Sequence, residues 1–253
     1  MFDCWFIFPI ALLISALVAS VGIGGGLLWM PFFLIVLKFP PEEAVVTSLL
    51  IQIGGMGSAS VAFIRQQRID FKLAFVVLLI ALPGIALGVW LASLLSASYM
   101  QFILGTLVLL TAFLFVSTPQ KYHDRGREKA LIERDNYKKL WLTIPASMGS
   151  GLLSSSMNEW LIPVFRRKLS LGMHYAIATS IFISFIVSMI AALIHIAVGH
   201  QANWLLILWA VPGVIIGAQM GARFSHNLNE KLLKEIFVFF LTLVGVHLIY
   251  NAY

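Results

Sequence analysis

The sequence predicts an all-α polytopic membrane protein. Of its 253 residues, 60% are hydrophobic and 11% are charged, whereas soluble domains are about one quarter charged. So few charged side chains cannot cover a water-exposed surface around so much apolar mass. Two further observations define the architecture: a series of long apolar stretches, and an ordered set of motifs that occurs twice.

Charges and turn residues divide the chain into six uninterrupted apolar stretches and two broken ones. The uninterrupted stretches have about 18–24 residues, enough to cross a hydrocarbon core about 30 Å thick. They cover residues 44–64, 73–95, 99–116, 175–198, 204–222 and 232–250. The broken stretches are interrupted at 22–26 (GIGGG) and at 154–159 (SSSMNE). Each of these two is therefore predicted to be a hairpin of two short helices.

The same order of motifs occurs in both halves of the chain. Pro31 and Pro163 are 132 residues apart, and at the same shift residues 44–48 (AVVTS) correspond to residues 176–180 (AIATS). Each copy is then a broken-helix hairpin followed by three transmembrane helices. The first repeat covers residues 5–117, the linker residues 118–139 and the second repeat residues 140–253.

The cationic residues predict how the two copies are oriented. Sixteen of the 17 Lys and Arg residues fall in four clusters, at 65–72, in the linker up to Lys139, at 166–168 and at 223–234; Lys38 is the exception. Lys and Arg are enriched in cytoplasmic loops. If all four clusters are cytoplasmic, the first hairpin opens on the outer side and the second on the inner side. The copies are then inverted repeats, with both termini outside the cytoplasm.

Two sets of motifs resemble the sulfite exporter TauE/SafE family of integral membrane anion transporters. The first is residues 22–31 (GIGGGLLWMP) followed by residues 44–49 (AVVTSL). The second is a Pro-Gly-xxx-Gly motif in each copy, formed by Pro83, Gly84 and Gly88 and by Pro212, Gly213 and Gly217. The resemblance extends over about residues 9–250. It implies a multi-pass protein of the bacterial inner (plasma) membrane that exports small sulfur-containing anions, namely sulfite, sulfoacetate or other organosulfonates.

The glycine turn of the first hairpin is a candidate substrate-binding element. Gly24, Gly25 and Gly26 precede the second arm of that hairpin. The first N–H groups of a helix lack intrahelical acceptors and suit an oxyanion such as a sulfonate. The alternative is that small residues only allow close helix packing in lipid.

The turn of the second hairpin is different in composition. Ser156, Met157 and Asn158 stand where the first copy has three glycines, so the two turns are not equivalent. Ser155, Ser156 and Asn158 are candidate substrate ligands. Glu159 is the only acid deep in a predicted membrane segment, which makes it a candidate for proton coupling. The alternative is a capping box, in which Ser156 caps the helix and Glu159 reaches back.

A few polar residues of the long helices complete the predicted site. Gln52 lies near the middle of its helix beside two glycines, and Ser184 belongs to a row of serines at four-residue spacing; both are candidate substrate ligands. Arg65 and Arg223 lie at cytoplasmic helix ends, where they are either topology anchors or an anion funnel. His195 lies near the outer end of its helix, where a hydrogen-bonded interface role is the ordinary interpretation.

Several function classes are excluded by the motifs that the sequence lacks. It has neither a Walker motif nor an H-E-x-x-H zinc pair, and its single cysteine, Cys4, has no partner. We therefore expect neither an enzyme nor a cofactor or metal. The net charge of +6 is assigned to topology, so no nucleic-acid partner is expected. The expected function is secondary transport by alternating access, with the substrate between two midplane hairpins in the lipid bilayer. A channel-like or structural subunit, or an uptake carrier for a neutral or amino-acid solute, are the alternatives.

Overall fold

The computed structural model describes residues 5–21, 25–117, 137–224 and 230–252, and every regular element within these ranges is a helix. The first half contains α1 (Ile7–Val21), α2 (Gly26–Pro31) with a π-helical continuation (Phe32–Val36), α3 (Pro41–Arg65), α4 (Phe71–Leu94) and α5 (Ala97–Ser117). The second half contains a 3₁₀ segment (Tyr137–Leu142), α6 (Thr143–Leu153), α7 (Asn158–Leu169), α8 (Met173–Val198), α9 (Trp204–Phe224) and α10 (Glu230–Asn251).

The fold class predicted from the sequence is confirmed. Five helices, α3, α4, α5, α8 and α9, are long and apolar enough to cross a membrane. Large apolar side chains such as Phe75, Trp90 and Leu208 are more than half exposed, which is typical of a surface that faces lipid. Both broken stretches are pairs of short helices, α1 with α2 and α6 with α7.

Local sequence signals account for the ends of the long helices. Pro40 and Pro41 start α3, since proline is favoured in the first helical turn. Asp70 caps α4, its carboxylate accepting a hydrogen bond from the N–H of Leu73 at 3.1 Å. Gly199 ends α8 with a φ of +102°, a left-handed conformation that suits glycine.

The first arm of each hairpin packs against the second long helix of the opposite half. α1 packs on α9 and α6 packs on α4. A Cβ at Gly217 would overlap the carbonyl oxygen of Leu12, and one at Gly88 would overlap that of Met148. The glycines of the Pro-Gly-xxx-Gly motifs therefore let hairpin and helix backbones approach closely.

Two equivalent hydrogen bonds hold α3 and α8 to the neighbouring turns. The N–H of Asn203 donates to Thr47 Oγ1 at 3.1 Å, and the N–H of Asp70 donates to Thr179 Oγ1 at 3.0 Å. Thr47 and Thr179 are 132 residues apart, the shift of the predicted repeat. A duplicated architecture predicts such a pair of contacts; the orientation of the copies in the membrane stays a prediction.

The two contacts define the two ends of the helix bundle. The His200 end is where α3 and α9 begin and α8 ends, and the Arg65 end is where α3 ends and α4 and α8 begin. On the charge assignment made from the sequence, the Arg65 end is cytoplasmic.

Candidate functional site

The two hairpins cross beside the middle of α3. Gly26 is buried there, and a Cβ on it would overlap the carbonyl oxygen of Ser154. It would also lie 3.0 Å from both polar atoms of the Gln52 side chain. A side chain at position 26 would therefore separate the hairpins, and the absence of one is a packing requirement at this position.

The amide of Gln52 ties the turn of the second hairpin to α3. Its Nε2 donates to the carbonyl oxygen of Ser154 at 3.0 Å and to the Ser154 hydroxyl. Its Oε1 accepts from the Ser156 hydroxyl at 2.9 Å. Ser154 Oγ also donates to Ser48 Oγ at 2.7 Å. Because Gln52 is only 3% exposed, these bonds satisfy an amide that would otherwise be costly in a membrane interior.

The capping box considered for α7 is wrong. The helix begins at Asn158 after Met157, and no side chain caps it. The Ser156 hydroxyl donates to Gln52 instead. Because the Ser156 hydroxyl bonds to Gln52 on α3, it does not cap α7.

A cavity of about 210 Å³ begins at this crossing. Its lining side chains on α3 run from Gln52 to Phe63, so it extends toward the Arg65 end. It is lined by Ser15, Val18, Ala19, Gly25, Trp29, Gln52, Gly55, Met56, Ala59, Phe63, Asn158, Ile177, Ile181, Val214 and Ala218. We call it the Gln52 cavity. None of these described lining residues is charged, and the volume suits a solute smaller than the drug-sized ligands of pockets of about 300–1,000 Å³.

Asn158 provides an unsatisfied polar group on the wall of the Gln52 cavity. The residue is 1% exposed, and its Oδ1 has no hydrogen-bond partner among the described residues. Buried polar atoms nearly always have a partner, in the protein or in water. An amide can also turn its N–H donors toward a ligand. Asn158 is thus the side chain in this cavity best placed to bind a polar solute or its water.

The structure brings together some of the predicted site residues and separates others. Gly25, Gln52 and Asn158 line the cavity, while Gly26 and Ser156 lie at the hairpin crossing. Gly24 lies outside the described residues. Ser155 lies in a different, mostly apolar groove of about 490 Å³ between α5 and α6.

The remaining predicted residues do not line the Gln52 cavity. Ser184 is 1% exposed, and within the described ranges its hydroxyl has no partner. Glu159 lies in the first turn of α7, next to Asn158. Arg65 is exposed at the end of α3, and the Arg223 side chain lies outside the part of the chain that the structure describes.

Sequence reasoning missed most of the cavity wall, including one serine and two aromatic residues. Ser15 donates from Oγ to the carbonyl oxygen of Val214 at 2.8 Å and so joins α1 to α9. Trp29 and Phe63 supply aromatic surface. A serine in an apolar stretch is a signal that could have identified Ser15, whereas aromatic residues in a membrane helix have a general explanation in the interfacial belts.

Comparison with known proteins gives matches over nearly the whole chain. The family model described as "Sulfite exporter TauE/SafE" matches residues 7–248. The probable membrane transporter protein YunE of Bacillus subtilis (strain 168) is 26% identical over 261 residues, which cover 95% of each chain. A probable membrane transporter protein of Haemophilus influenzae is 23% identical over 240 residues, 94% of this chain and 91% of the relative. No solved structure matches.

Proposed function

We propose, from the premise that the chain belongs to the sulfite exporter TauE/SafE family, that it exports a small sulfur-containing anion such as sulfite, sulfoacetate or another organosulfonate. The protein is a multi-pass membrane transporter of this family type. The substrate class, the direction and the alternating-access mechanism are the parts that we infer.

The observation that carries the proposal is the Gln52 cavity at the crossing of the two hairpins. Broken helices that meet inside a transporter expose backbone and polar groups to a solute at membrane depth. Here the crossing brings Gly25 and Asn158 to the wall of one cavity. Asn158 Oδ1 has no hydrogen-bond partner among the described residues, which supports a polar solute or its hydration water as the missing partner.

The chemistry of the wall suits an anion that also has an apolar part. Amide N–H groups donate to sulfonate or sulfite oxygens, and Ile177, Ile181 and Val214 offer apolar surface to a short carbon chain. The described wall carries no cation that would hold the anion as a salt bridge. Neutral donors bind an anion weakly enough for release, which a transport cycle requires.

Alternating access between two inverted repeats explains why the cavity extends toward one end. Gln52 holds the second hairpin against α3 while the wall from Gln52 to Phe63 leads toward the Arg65 end. In such a cycle the repeats exchange conformations and the solute then leaves at the opposite end. We infer that the cavity described here is the cytoplasm-facing stage of that cycle.

Transport by proteoliposomes with Asn158→Asp tests this proposal. The substitution keeps the side-chain size but adds a negative charge to the wall. We expect efflux of labelled sulfite or sulfoacetate to fall by at least about tenfold, since like charges in a partly desolvated site repel by more than about 1.4 kcal/mol. Asn251→Asp is the matched control, because Asn251 is exposed on α10, and it should transport normally.

The result also separates the alternative functions. Failure of both anions to bind or cross would end the anion proposal. Transport of a neutral or zwitterionic solute in their place would indicate an uptake carrier. Equal efflux by Asn158→Asp and the unsubstituted protein would remove Asn158 from the site.

A further inference from the structure

A chain of polar contacts at the His200 end connects the protein surface to the second hairpin. His195 on α8 is fully buried, and its Nε2 lies 2.7 Å from the carbonyl oxygen of Gly151. Its Nδ1 lies 2.8 Å from His200 Nδ1. His200 Nε2 in turn lies 3.7 Å from a carboxylate oxygen of Glu42 at the start of α3. The transport site proposed above uses none of these groups.

The end of α8 is built to place the two imidazoles together. The N–H of Gly199 donates to the carbonyl of Ile196, and the N–H of His200 donates to that of His195, both at 3.0 Å. This Schellman pattern turns the chain back on itself, and the centroids of the two imidazole rings are 5.0 Å apart. The His200 side chain is 9% exposed and that of Glu42 is 54% exposed, so solvent reaches the chain from the Glu42 side.

His195 supplies a bond that α6 lacks on its own. Gly151 is among the last four residues of α6, whose carbonyl groups have no intrahelical donor. The imidazole N–H satisfies one of these carbonyls. It does so at the negative end of the helix dipole, where a donor or a cation is favourable. The hairpin arm is therefore held to α8 by this imidazole.

The number of protons in the chain decides whether all three contacts are favourable. The Gly151 carbonyl and the Glu42 carboxylate only accept, so each contact needs a proton from a ring nitrogen. Two neutral imidazoles bring two protons. These satisfy the Gly151 contact and the contact between the histidines, but they leave a lone pair of His200 facing the carboxylate. One further proton turns that repulsive contact into an ion pair.

We propose that Glu42, His200 and His195 form a proton-binding latch, which holds the second hairpin against α8 at the His200 end when the histidine pair carries one added proton. Loss of that proton weakens the hold of Glu42 on His200 and so loosens the bond from His195 to Gly151. This inference deepens the proposed transport function and rests on it for its role: proton binding at the His200 end keeps that end closed.

The other titratable groups near the latch are few. On α3 they are Glu42 and Glu43, and Asn203 Nδ2 donates to Glu43 Oε1 at 3.3 Å; Lys38 precedes that helix. The parts of α4, α6 and α9 that reach the His200 end carry no Asp, Glu, His, Lys or Arg. Imidazole is the side chain among these whose ordinary pKa lies between about pH 5 and 8. The latch therefore responds to protons through its histidines.

The side chains of the latch are not repeated at the corresponding positions of the opposite end. At the repeat shift of 132 residues, Phe63 stands in place of His195 and Arg68 in place of His200. The backbone bonds are the same, since the N–H of Arg68 donates to the carbonyl of Phe63 at 3.1 Å. His174 stands in place of Glu42, so a histidine replaces the carboxylate and an arginine replaces His200. The arrangement of Glu42, His200 and His195 is thus not repeated at the corresponding positions.

A cysteine reporter on α6 tests the latch without any substrate. Leu152 is 4% exposed beside Gly151. In a Cys4→Ser background, Leu152→Cys is labelled with N-ethylmaleimide at pH 5.5 and at pH 8, with and without His200→Gln. We expect His200→Gln to raise the labelling rate about two- to fivefold at pH 5.5, the effect of a half-exposed ion pair, and to leave the rate at pH 8 unchanged. Glu42→Gln should do the same.

The control is His247→Gln on α10, where an exposed histidine bonds only within its own helix to Asn251. In this variant, the labelling rate of Leu152→Cys should depend on pH as it does without the His247 substitution. Thermal unfolding in detergent is the second measurement and needs no cysteine. The latch stabilises the folded protein at low pH, and this stabilisation is lost as the pH rises. His200→Gln should therefore make the unfolding temperature less dependent on pH. If His200→Gln left the labelling rate of Leu152→Cys unchanged at both pH values, the latch would be overturned. An unchanged pH dependence of thermal unfolding in His200→Gln would overturn it as well.

The transport consequence is read separately. With a folded transporter in liposomes, acid on the His200 side should slow efflux in the unsubstituted protein and not in Glu42→Gln. A latch that fails the labelling test in a protein that still transports refutes only the latch. If the labelling test supports the latch but the protein transports no sulfur anion, only the proposed substrate is refuted.

Discussion

The His200 end and the Arg65 end of the bundle are built from corresponding residues but are packed differently. The α3 wall of the Gln52 cavity includes Gln52, Met56, Ala59 and Phe63. At the predicted repeat shift these correspond to Ser184, Ser188, Ala191 and His195 on α8. All four of the latter are buried, with at most 1% exposure. The same face therefore lines a cavity in one half and is covered in the other.

The α8 wall of the cavity shows the same difference from its counterpart. Ile177 and Ile181 line the cavity on α8, and their counterparts Val45 and Leu49 on α3 have no exposed surface. Two packings of nearly repeated sequences within one molecule are what alternating access predicts for a single stage of its cycle. In the proposed cycle, the contacts that differ between the two ends are those that open and close, so a residue and its counterpart should behave differently.

Reagent access should show the largest difference between the two ends. In a Cys4→Ser background, Ala59→Cys places a thiol in the Gln52 cavity, and Ala191→Cys places one at the buried counterpart. We expect Ala59→Cys to react roughly 100-fold faster with a small methanethiosulfonate. A buried site reacts only after local opening, and an opening that costs about 3 kcal/mol is populated in about one molecule in a hundred.

The side of access is measured in the same experiment. Right-side-out and inside-out vesicles should show Ala59→Cys reacting from the cytoplasmic side, as the charge assignment predicts. Equal rates for the two positions would mean that the packing difference between the ends is absent in the membrane, and the one-sided cavity would then be wrong.

The hydrogen bonds of Gln52 should show the next largest difference, when Gln52 is compared with its counterpart Ser184. Gln52→Ala leaves the buried hydroxyl of Ser156 and the carbonyl of Ser154 without their partner, at a cost of about 1–3 kcal/mol for each group. Ser184→Ala removes a buried hydroxyl that has no partner among the described residues, so it should be neutral or slightly stabilising. Chemical or thermal unfolding in detergent measures both. A destabilisation by Ser184→Ala as large as that by Gln52→Ala would contradict the asymmetry.

Much of this architecture could be predicted because it depends on local signals. Hydropathy and length identify α3 and α8. Pro41 and Gly199 mark helix ends through their backbone preferences, and Asp70 marks one through its side-chain cap. The Pro-Gly-xxx-Gly motif was recognised as a pattern; the structure adds its cause, since Gly88 and Gly217 lie where a hairpin backbone presses on the helix.

The contacts within the site could not be predicted because they join distant parts of the chain. The sequence predicts Gln52 as a substrate ligand, but its partners in the second hairpin are about 100 residues away and depend on how two hairpins cross. The bond to Ser156 competes with helix capping, and sequence alone gives no measure of that competition. The spacing of His195, Gly199 and His200 is compatible with a Schellman turn, yet nothing in it identifies Gly151 as the acceptor.

Glu159 should show the smallest effect and the one most specific to coupling. Its counterpart at the repeat shift is Leu27, a fully buried apolar residue, so the acid exists in only one hairpin. If Glu159 exchanges protons during transport, Glu159→Gln should make efflux the same with and without a pH gradient. The rate without a gradient should change by less than about threefold, since Gln keeps the size and the polarity of the side chain.

The latch gives this experiment its control. Glu42→Gln should alter the response to pH on the His200 side only, whereas Glu159→Gln should remove the response to the gradient whichever side is acid. A Glu159→Gln protein whose efflux still follows the gradient would leave Glu159 without a coupling role. Proton sensitivity would then belong to the His200 end alone, and the comparison of the two ends would account for coupling as well as for access.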